Sequence, residues 1–435
     1  MTEAIEKISS IERKVKGLIS ISPLQGQISQ KFLELTKTAR VSGFRPGKVP
    51  MTVIEKQYGA DIRSEIYANA IEMKFGEIVN TNKLRVAGMP DIQHDPLDQV
   101  VDDFEFTATF EIFPEFKLGN FKTLKVEKKS VDLSESDIKK TIDVLIKQRA
   151  VFEKVDRASK LDDQITVQLQ SFIDDEQIES TGDQSLEFVL GDSKRIKAVD
   201  DQLLGIKAGE SKEFEVKYPK DHNPAQLANK NVKYQIKLLE VKEARLPSVD
   251  SNFAKSLGVG DGDLKVMEQE IRMSLTQEVE KRVKADLKKQ VFQLLVDSHD
   301  MEIPKSLISM EINRMTQSTY DNLKQQGADM KELKLEPEMF EESATKTCKL
   351  RIVLATLVED NKLEASEEQI KSKVIEFSAN FDDTDKAEKW FYDDPKRLDE
   401  PAALSTEDNI VEWFLKECKI ESKKISFDDL MAIQA

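Results

Sequence analysis

Cysteine is nearly missing from this chain: Cys348 and Cys418 are the two in 435 residues. So few, and so far apart in sequence, they are expected to be free thiols in a reducing compartment rather than a disulfide framework. Histidine is as scarce, at three positions, His94, His222 and His299. None has a cysteine or carboxylate at ligand spacing, so no metal site is expected. No run of 18 apolar residues occurs, which excludes an ordinary membrane-spanning helix. Aromatic residues make up 7%, a thin supply for the cores of so long a chain. No glycine-rich phosphate loop and no nucleophile elbow is present, so nucleotide and acyl-transfer chemistry have no motif to stand on. The leading MTEAIEKISSIERK lacks the apolar stretch of a secretory signal, and a cytoplasmic location is expected.

Charge is abundant and uneven. Charged residues reach 34% and the formal net charge is −16. Residues 1–60 nevertheless hold ten Lys and Arg against five Asp and Glu, a surplus of +5, which leaves −21 on the remainder. A basic leading end on an acidic body suits a polyanionic partner touched by that end alone, with chance patchiness as the alternative.

Length implies two to four domains. Residues 10–21 read as a strand interrupted by Gly17, and residues 27–41 as a helix with Ile28, Phe32, Leu35 and Ala39 on one face. A second helix is expected from Pro50, placed in its first turn, to about Ile78. Strict alternation of Phe104, Phe106, Ala108, Phe110 and Ile112 predicts a half-buried strand within 101–116. Residues 1–115 are therefore read as a compact α+β domain. Residues 116–150 read as a linking strand and a helix whose start, Ser134 followed by Asp137, resembles a capping box. Residues 151–245 break into short β segments, with a short helix near Val199–Leu204, and are read as a small antiparallel barrel or half-barrel. Residues 246–435 are almost wholly helical in pattern. A helix over 263–297 would run about 50 Å at 1.5 Å per residue. Its row Ile271, Leu275, Val279, Val283, Leu287, Val291, Leu295 steps by four and winds around the cylinder. This suits an extended arm better than a globular bundle.

The stretch VSGFRPGKVP, residues 41–50, concentrates the basic end. Gly43 and Gly47 permit backbone angles that other residues resist, while Pro46 and Pro50 fix φ. A loop so restrained loses little entropy on docking. Arg45 and Lys48 suit phosphates or acidic side chains, and Phe44 supplies an apolar or stacking anchor. On residues alone, an ordinary helix–helix turn with a buried phenylalanine stays open.

GFRPGKVPM between two helices, FPEF after a strand, KAGE at 207–210, RLP at 245–247, FAKSLGV, MEIPKSLI and the ending FDDLMAIQA occur in order, and together they resemble the bacterial trigger factors along nearly the whole chain. The resemblance implies a multidomain α+β protein: an N-terminal α+β ribosome-binding domain, an FKBP-like antiparallel β half-barrel and an elongated, all-helical C-terminal body with arms. It implies ribosome contact through Gly43, Phe44, Arg45, Gly47 and Lys48, with Pro46 standing where the family commonly has lysine. It also implies, as partners, rRNA and ribosomal protein near the exit tunnel of the large subunit, nascent unfolded polypeptides, no cofactor, no membrane, and a possible homodimer when free.

By local matching, Leu169, Phe188, Ile196, Val199, Tyr218, His222 and Tyr234 fall where the family's isomerase pocket lies. Gln168-Leu169-Gln170-Ser171 and Ile196-Lys197-Ala198-Val199 depart from its aromatic pattern, so weak or absent prolyl isomerase activity is expected. For the client cradle of a chaperone, adaptable methionines among aliphatics are suited: Met301, Ile303, Leu307, Ile308, Met310, Ile312 and Met315 are the candidates. Three functions are carried forward: a ribosome-docked, ATP-independent holdase, an isomerase proper, and an assembly chaperone that does not visit the ribosome.

Overall fold

The structure is a computed structural model that describes residues 5–42, 44, 47–94, 96, 103–173, 176–180, 185–191, 197–219, 229–325, 335–379 and 381–432. Contacts gather the chain into two units, residues 1–128 with 285–423, and residues 129–284 with 424–435.

In the first unit, β1 (Ile5–Lys7) and β2 (Glu12–Ile19) lead into α1 (Leu24–Thr38) and α2 (Met51–Thr81), followed by β3 (Val86–His94) and β4 (Phe104–Ile112). The four strands form an antiparallel sheet in the order β1-β2-β4-β3. β4 buries the alternating residues the sequence singles out, Phe104, Phe106, Ala108, Phe110 and Ile112. Gly17 has a packing reason: it lies opposite Phe106 in the register, and a Cβ there would come within 2.3 Å of the Phe106 ring. The phenylalanine ring thus fills the place of the missing side chain. Ile28 and Phe32 of α1 and Ile54, Ile62, Ile66, Ile71, Phe75 and Ile78 of α2 close the core over the sheet.

Details differ from the sequence reading. α1 starts three residues earlier and ends at Thr38, because Pro23 can precede a helix and Ala39 is extended. Pro50 is the residue before the first helical position, with ψ 143°, and Met51 opens α2. β3 has no alternating apolar signature: VAGMPDIQH contains Gly88 at φ +81°, and the register against β4 shifts there.

β5 (Lys125–Ser130) comes next, then α3 (Glu135–Gln148). The capping box is present, with Ser134 and Asp137 each bonding the other's backbone N–H. The second unit continues through β6 (Val151–Lys154), β7 (Gln164–Ile173), β8 (Glu176–Ser180), β9 (Leu186–Val189), α4 (Lys197–Leu203), β10 (Ser211–Lys217) and β11 (Asn231–Arg245). These strands make an antiparallel sheet in the order β10-β11-β7-β8, with β6 on β11 and β9 on β7. Ile165, Val167 and Leu169 of β7, Val232, Tyr234, Ile236 and Leu238 of β11 and Val199 and Leu203 of α4 share one core. Arg157 braces its edge with two hydrogen bonds to the buried Asp163 (2.6 and 2.9 Å) and one to Glu243 (2.8 Å).

Helices dominate the rest: α5 (Ser251–Ser256), α6 (Leu264–Asp297), α7 (Lys305–Gln325), α8 (Glu341–Asn361), α9 (Glu367–Ser378), α10 (Thr384–Tyr392) and α11 (Asp399–Glu417). α6 has 34 residues. Its step-of-four row is buried at Val279, Leu287, Val291 and Leu295 and half-buried at Ile271, Leu275 and Val283. The expectation that residues 246–435 are wholly helical needs one correction. Lys419–Lys424 is a strand, β12, paired with β5. All six of its residues are exposed, so no buried face left a mark on KIESKK. α12 (Phe427–Ala432) closes the described chain.

Candidate functional site

The α1–α2 connection is anchored at both ends, and the described residues between them, Ser42, Phe44, Gly47 and Lys48, are exposed. Val49 is 5% exposed and joins the N-terminal core, as does the half-buried Val41. The Phe44 N–H donates to the Val41 carbonyl at 3.1 Å. Gly47 takes φ +79°, the left-handed conformation that glycine adopts without steric cost. Between these fixed points the Phe44 side chain is 40% exposed, which decides against a buried turn phenylalanine. Lys48 is exposed. Gly43, Arg45 and Pro46 lie outside the described residues.

Five of the isomerase-pocket candidates come together. Leu169, Val199, Tyr218 and Tyr234 are buried in the core of the sheet, and Phe188 packs against it. The Tyr218 and Tyr234 hydroxyls are hydrogen-bonded to each other. Phe214, which the sequence reading passed over, stacks on Tyr234 with centroids 5.5 Å apart. Ile196 and His222 lie outside the described residues. Ser171, beside the candidates, is 1% exposed, and its hydroxyl has no hydrogen-bond partner among the described residues. A hollow on the other face of this sheet is polar, lined by Gln168, Gln170, Glu213, Gln235 and Lys237.

The methionine-rich stretch divides between core and groove. Ile303 is buried beside Cys348 and Ile352, and Met301, Leu307 and Ile308 pack on that cluster. Leu307 and the 63% exposed Met310 also line a cavity of about 620 Å³ in the first unit, together with Phe113, Pro114, Ile352, Ala355 and Thr356. Ile312 and Met315 are half-buried and do not line it.

The polar side of the cavity consists of Arg85, Glu311, Arg314 and Arg351. Glu311 is 3% exposed. It accepts from Arg314 Nε at 3.0 Å and Nη2 at 2.5 Å, and from Arg351 Nη1 at 2.8 Å. These bonds, led by Arg314, hold its carboxyl below the usual carboxylate range against the opposing effect of burial. Burial pushes the Cys348 thiol up, so this cysteine at the cavity wall is a poor nucleophile. Sequence spacing could have found the Glu311–Arg314 pair, three apart on one helix. Arg85 and Arg351 come from other elements and left no such signal.

Comparison with known proteins matches three stretches of the chain. Residues 1–145 match the family model described as bacterial trigger factor protein, residues 263–416 the model of its C-terminus, and residues 155–239 that of FKBP-type peptidyl-prolyl cis-trans isomerase. A trigger factor of Methylobacillus flagellatus is 46% identical over 431 residues, covering 99% of each chain. The chain belongs to the trigger factor family.

Trigger factors of Laribacter hongkongensis and Chromobacterium violaceum are 35% and 34% identical, each over essentially the full length of both chains. The family reading of the sequence therefore holds, as does its fold class: an α+β N-terminal part, an antiparallel half-barrel of FKBP type and a helical C-terminal part. As a trigger factor the chain is a chaperone that carries an FKBP-type isomerase domain.

Proposed function

We propose that this trigger factor docks on the large ribosomal subunit near the exit tunnel through the α1–α2 loop and holds emerging polypeptides without ATP. The observation that carries the reading is the exposure of Phe44 beside Lys48 on a loop pinned by Val41 and Val49. Desolvating a phenylalanine that already stands in water yields binding energy, and a restrained loop loses little entropy on docking. Lys48 and Arg45 add attraction to a polyanion, against a chain whose net charge is −16. Clients are held by the apolar groove at Leu307 and Met310, where a flexible thioether adapts to unlike side chains. The protein works in the cytoplasm.

Isomerase turnover is a minor activity in this reading. Twisting a prolyl amide, behind a barrier of ~18–20 kcal/mol, is favoured by a dry pocket of aromatic walls. Leu169 offers an aliphatic wall, and the Tyr218 and Tyr234 hydroxyls are engaged with each other.

Co-sedimentation with ribosomes tests the docking claim. Wild type should pellet with large subunits, and Phe44→Ala, Arg45→Ala and Lys48→Ala combined should leave it in the supernatant. Equal pelleting of both proteins refutes docking through this loop.

A further inference from the structure

Arg85, Arg314 and Arg351 border one cavity whose other walls are mostly apolar. Arg314 and Arg351 are both more than half exposed, with side-chain exposures of 59% and 57%. Each guanidinium has five N–H donors in a planar fork, and among the described residues two nitrogens of each bond Glu311. Arg85 lies 5.2 Å over the Phe113 ring and 3.8 Å from the exposed Glu359. Three arginines against Glu311 and Glu359 leave a surplus of one positive charge around the cavity, on a chain whose net charge is −16. The cavity volume, about 620 Å³, falls within the range of about 300–1,000 Å³ that small-molecule sites occupy.

We propose that this cavity is a binding site for a small amphipathic monoanion, a fatty carboxylate. Such a ligand is distinct from a polypeptide client, and its binding goes beyond the chaperone reading of the groove. The apolar tail lies against Phe113, Leu307 and Met310, where the flexible thioether adapts to a chain of no fixed shape. Taking that tail out of water supplies most of the affinity. The carboxylate takes two parallel N–H bonds from Arg314 or Arg351, because a planar guanidinium matches two oxygens at once. Glu311, 3% exposed, prepares this end of the cavity. By holding one side of both guanidinia it fixes their planes before the ligand arrives, so less rotamer entropy is lost on binding. The single surplus charge sets the ligand class. A monoanion neutralises it, a phosphate monoester of charge about −2 brings one negative charge too many, and a cation is repelled.

The test titrates the full chain with decanoate, octanoate, decanol and decylamine, each below its micellar concentration. Calorimetry reads affinity, and NMR of methyl-labelled methionine, with Met310 assigned through Met310→Leu, reads location. Decanoate should fill one saturable site and move the Met310 resonance. Octanoate, two methylenes shorter, should bind about tenfold more weakly. Decanol, which lacks the charge, should bind about fivefold more weakly than decanoate, the upper range for exposed ion pairs, with decylamine weakest. Arg85→Gln, which leaves the Glu311 bonds in place, should weaken decanoate about threefold and leave decanol unchanged. Ala355→Phe, which fills the cavity from an exposed position, should abolish binding. Equal binding of decanoate and decylamine overturns the recognition of the head group and with it the proposal. Uptake that never saturates, uptake that survives Ala355→Phe, or a Met310 resonance that stays in place overturns the site.

Discussion

Glu111 and Ser306, 195 positions apart, share two hydrogen bonds on one oxygen: the Ser306 N–H donates to Oε2 at 2.9 Å and its hydroxyl at 2.6 Å. The other oxygen accepts the Lys305 N–H at 2.9 Å. A carboxylate at the end of β4 thereby caps the first turn of α7, where amide donors lack intrahelical partners and the helix dipole favours negative charge. The Ser306 hydroxyl oxygen also lies 2.8 Å from the Ala87 carbonyl, which can share its single proton.

Loss of this cap should be measurable. Burial raises the Glu111 carboxyl, but bonds from Ser306 and Lys305 outweigh it and hold the group below its ordinary value near 4.5. A carboxyl whose folded value is depressed stabilises the fold above its unfolded value, and the contribution is lost as pH falls through the folded value. Glu111→Gln should cost about 1–2 kcal/mol near neutrality. The difference from wild type should shrink below about pH 4. Urea unfolding at several pH values gives both quantities.

The Glu311 cluster should respond asymmetrically. Removing the glutamate leaves two exposed arginines that water can solvate, so Glu311→Gln should cost less than about 1 kcal/mol. Replacing both Arg314 and Arg351 by Gln strands a carboxylate that is 3% exposed, at a cost of about 3 kcal/mol. That larger loss should ease in acid, where protonation removes the stranded charge. Chemical denaturation of the two variants at pH 7 and pH 4 checks the contrast.

Gly17→Ala should be far more damaging than its one added methyl suggests. The new Cβ meets the Phe106 ring at 2.3 Å, and Phe106 is 1% exposed in the middle of the sheet core. Overpacking of this kind costs about 1–3 kcal/mol. The double variant with Phe106→Leu should recover part of the loss, as a thermodynamic cycle of the two changes would show.

Proline-limited refolding tests the isomerase domain. We expect little rate enhancement from the wild type, and an increase on restoring an aromatic wall with Leu169→Tyr. A strong wild-type enhancement that Tyr218→Phe abolishes would show the tyrosine pair to be catalytically competent as it stands.

Periodicity served where burial has a period. Phe104 to Ile112 announced β4, and Ser134 with Asp137 announced the start of α3, because a capping box is a local contact written in adjacent residues. Gly17 was visible as an interruption, but its cause, the Phe106 ring, sits on another strand. β3 and β12 escaped for different reasons. β3 carries Gly88 and Pro90 and a register shift, while β12 is exposed on every residue. The methionine-rich stretch pointed to the groove through Leu307 and Met310, yet its arginines come from β3's approach, α7 and α8. Convergence of single charges from three elements leaves no pattern in one dimension.

The central claim is that the α1–α2 loop stands against the ribosome while the protein works. A photocrosslinking residue at position 44 of the full chain, irradiated in growing cells, tests it most directly. The account predicts crosslinks to large-subunit components at the exit tunnel, lost when Lys48 and Arg45 are replaced by alanine. An abundant, correctly folded protein that never crosslinks to the large subunit from position 44 would contradict it.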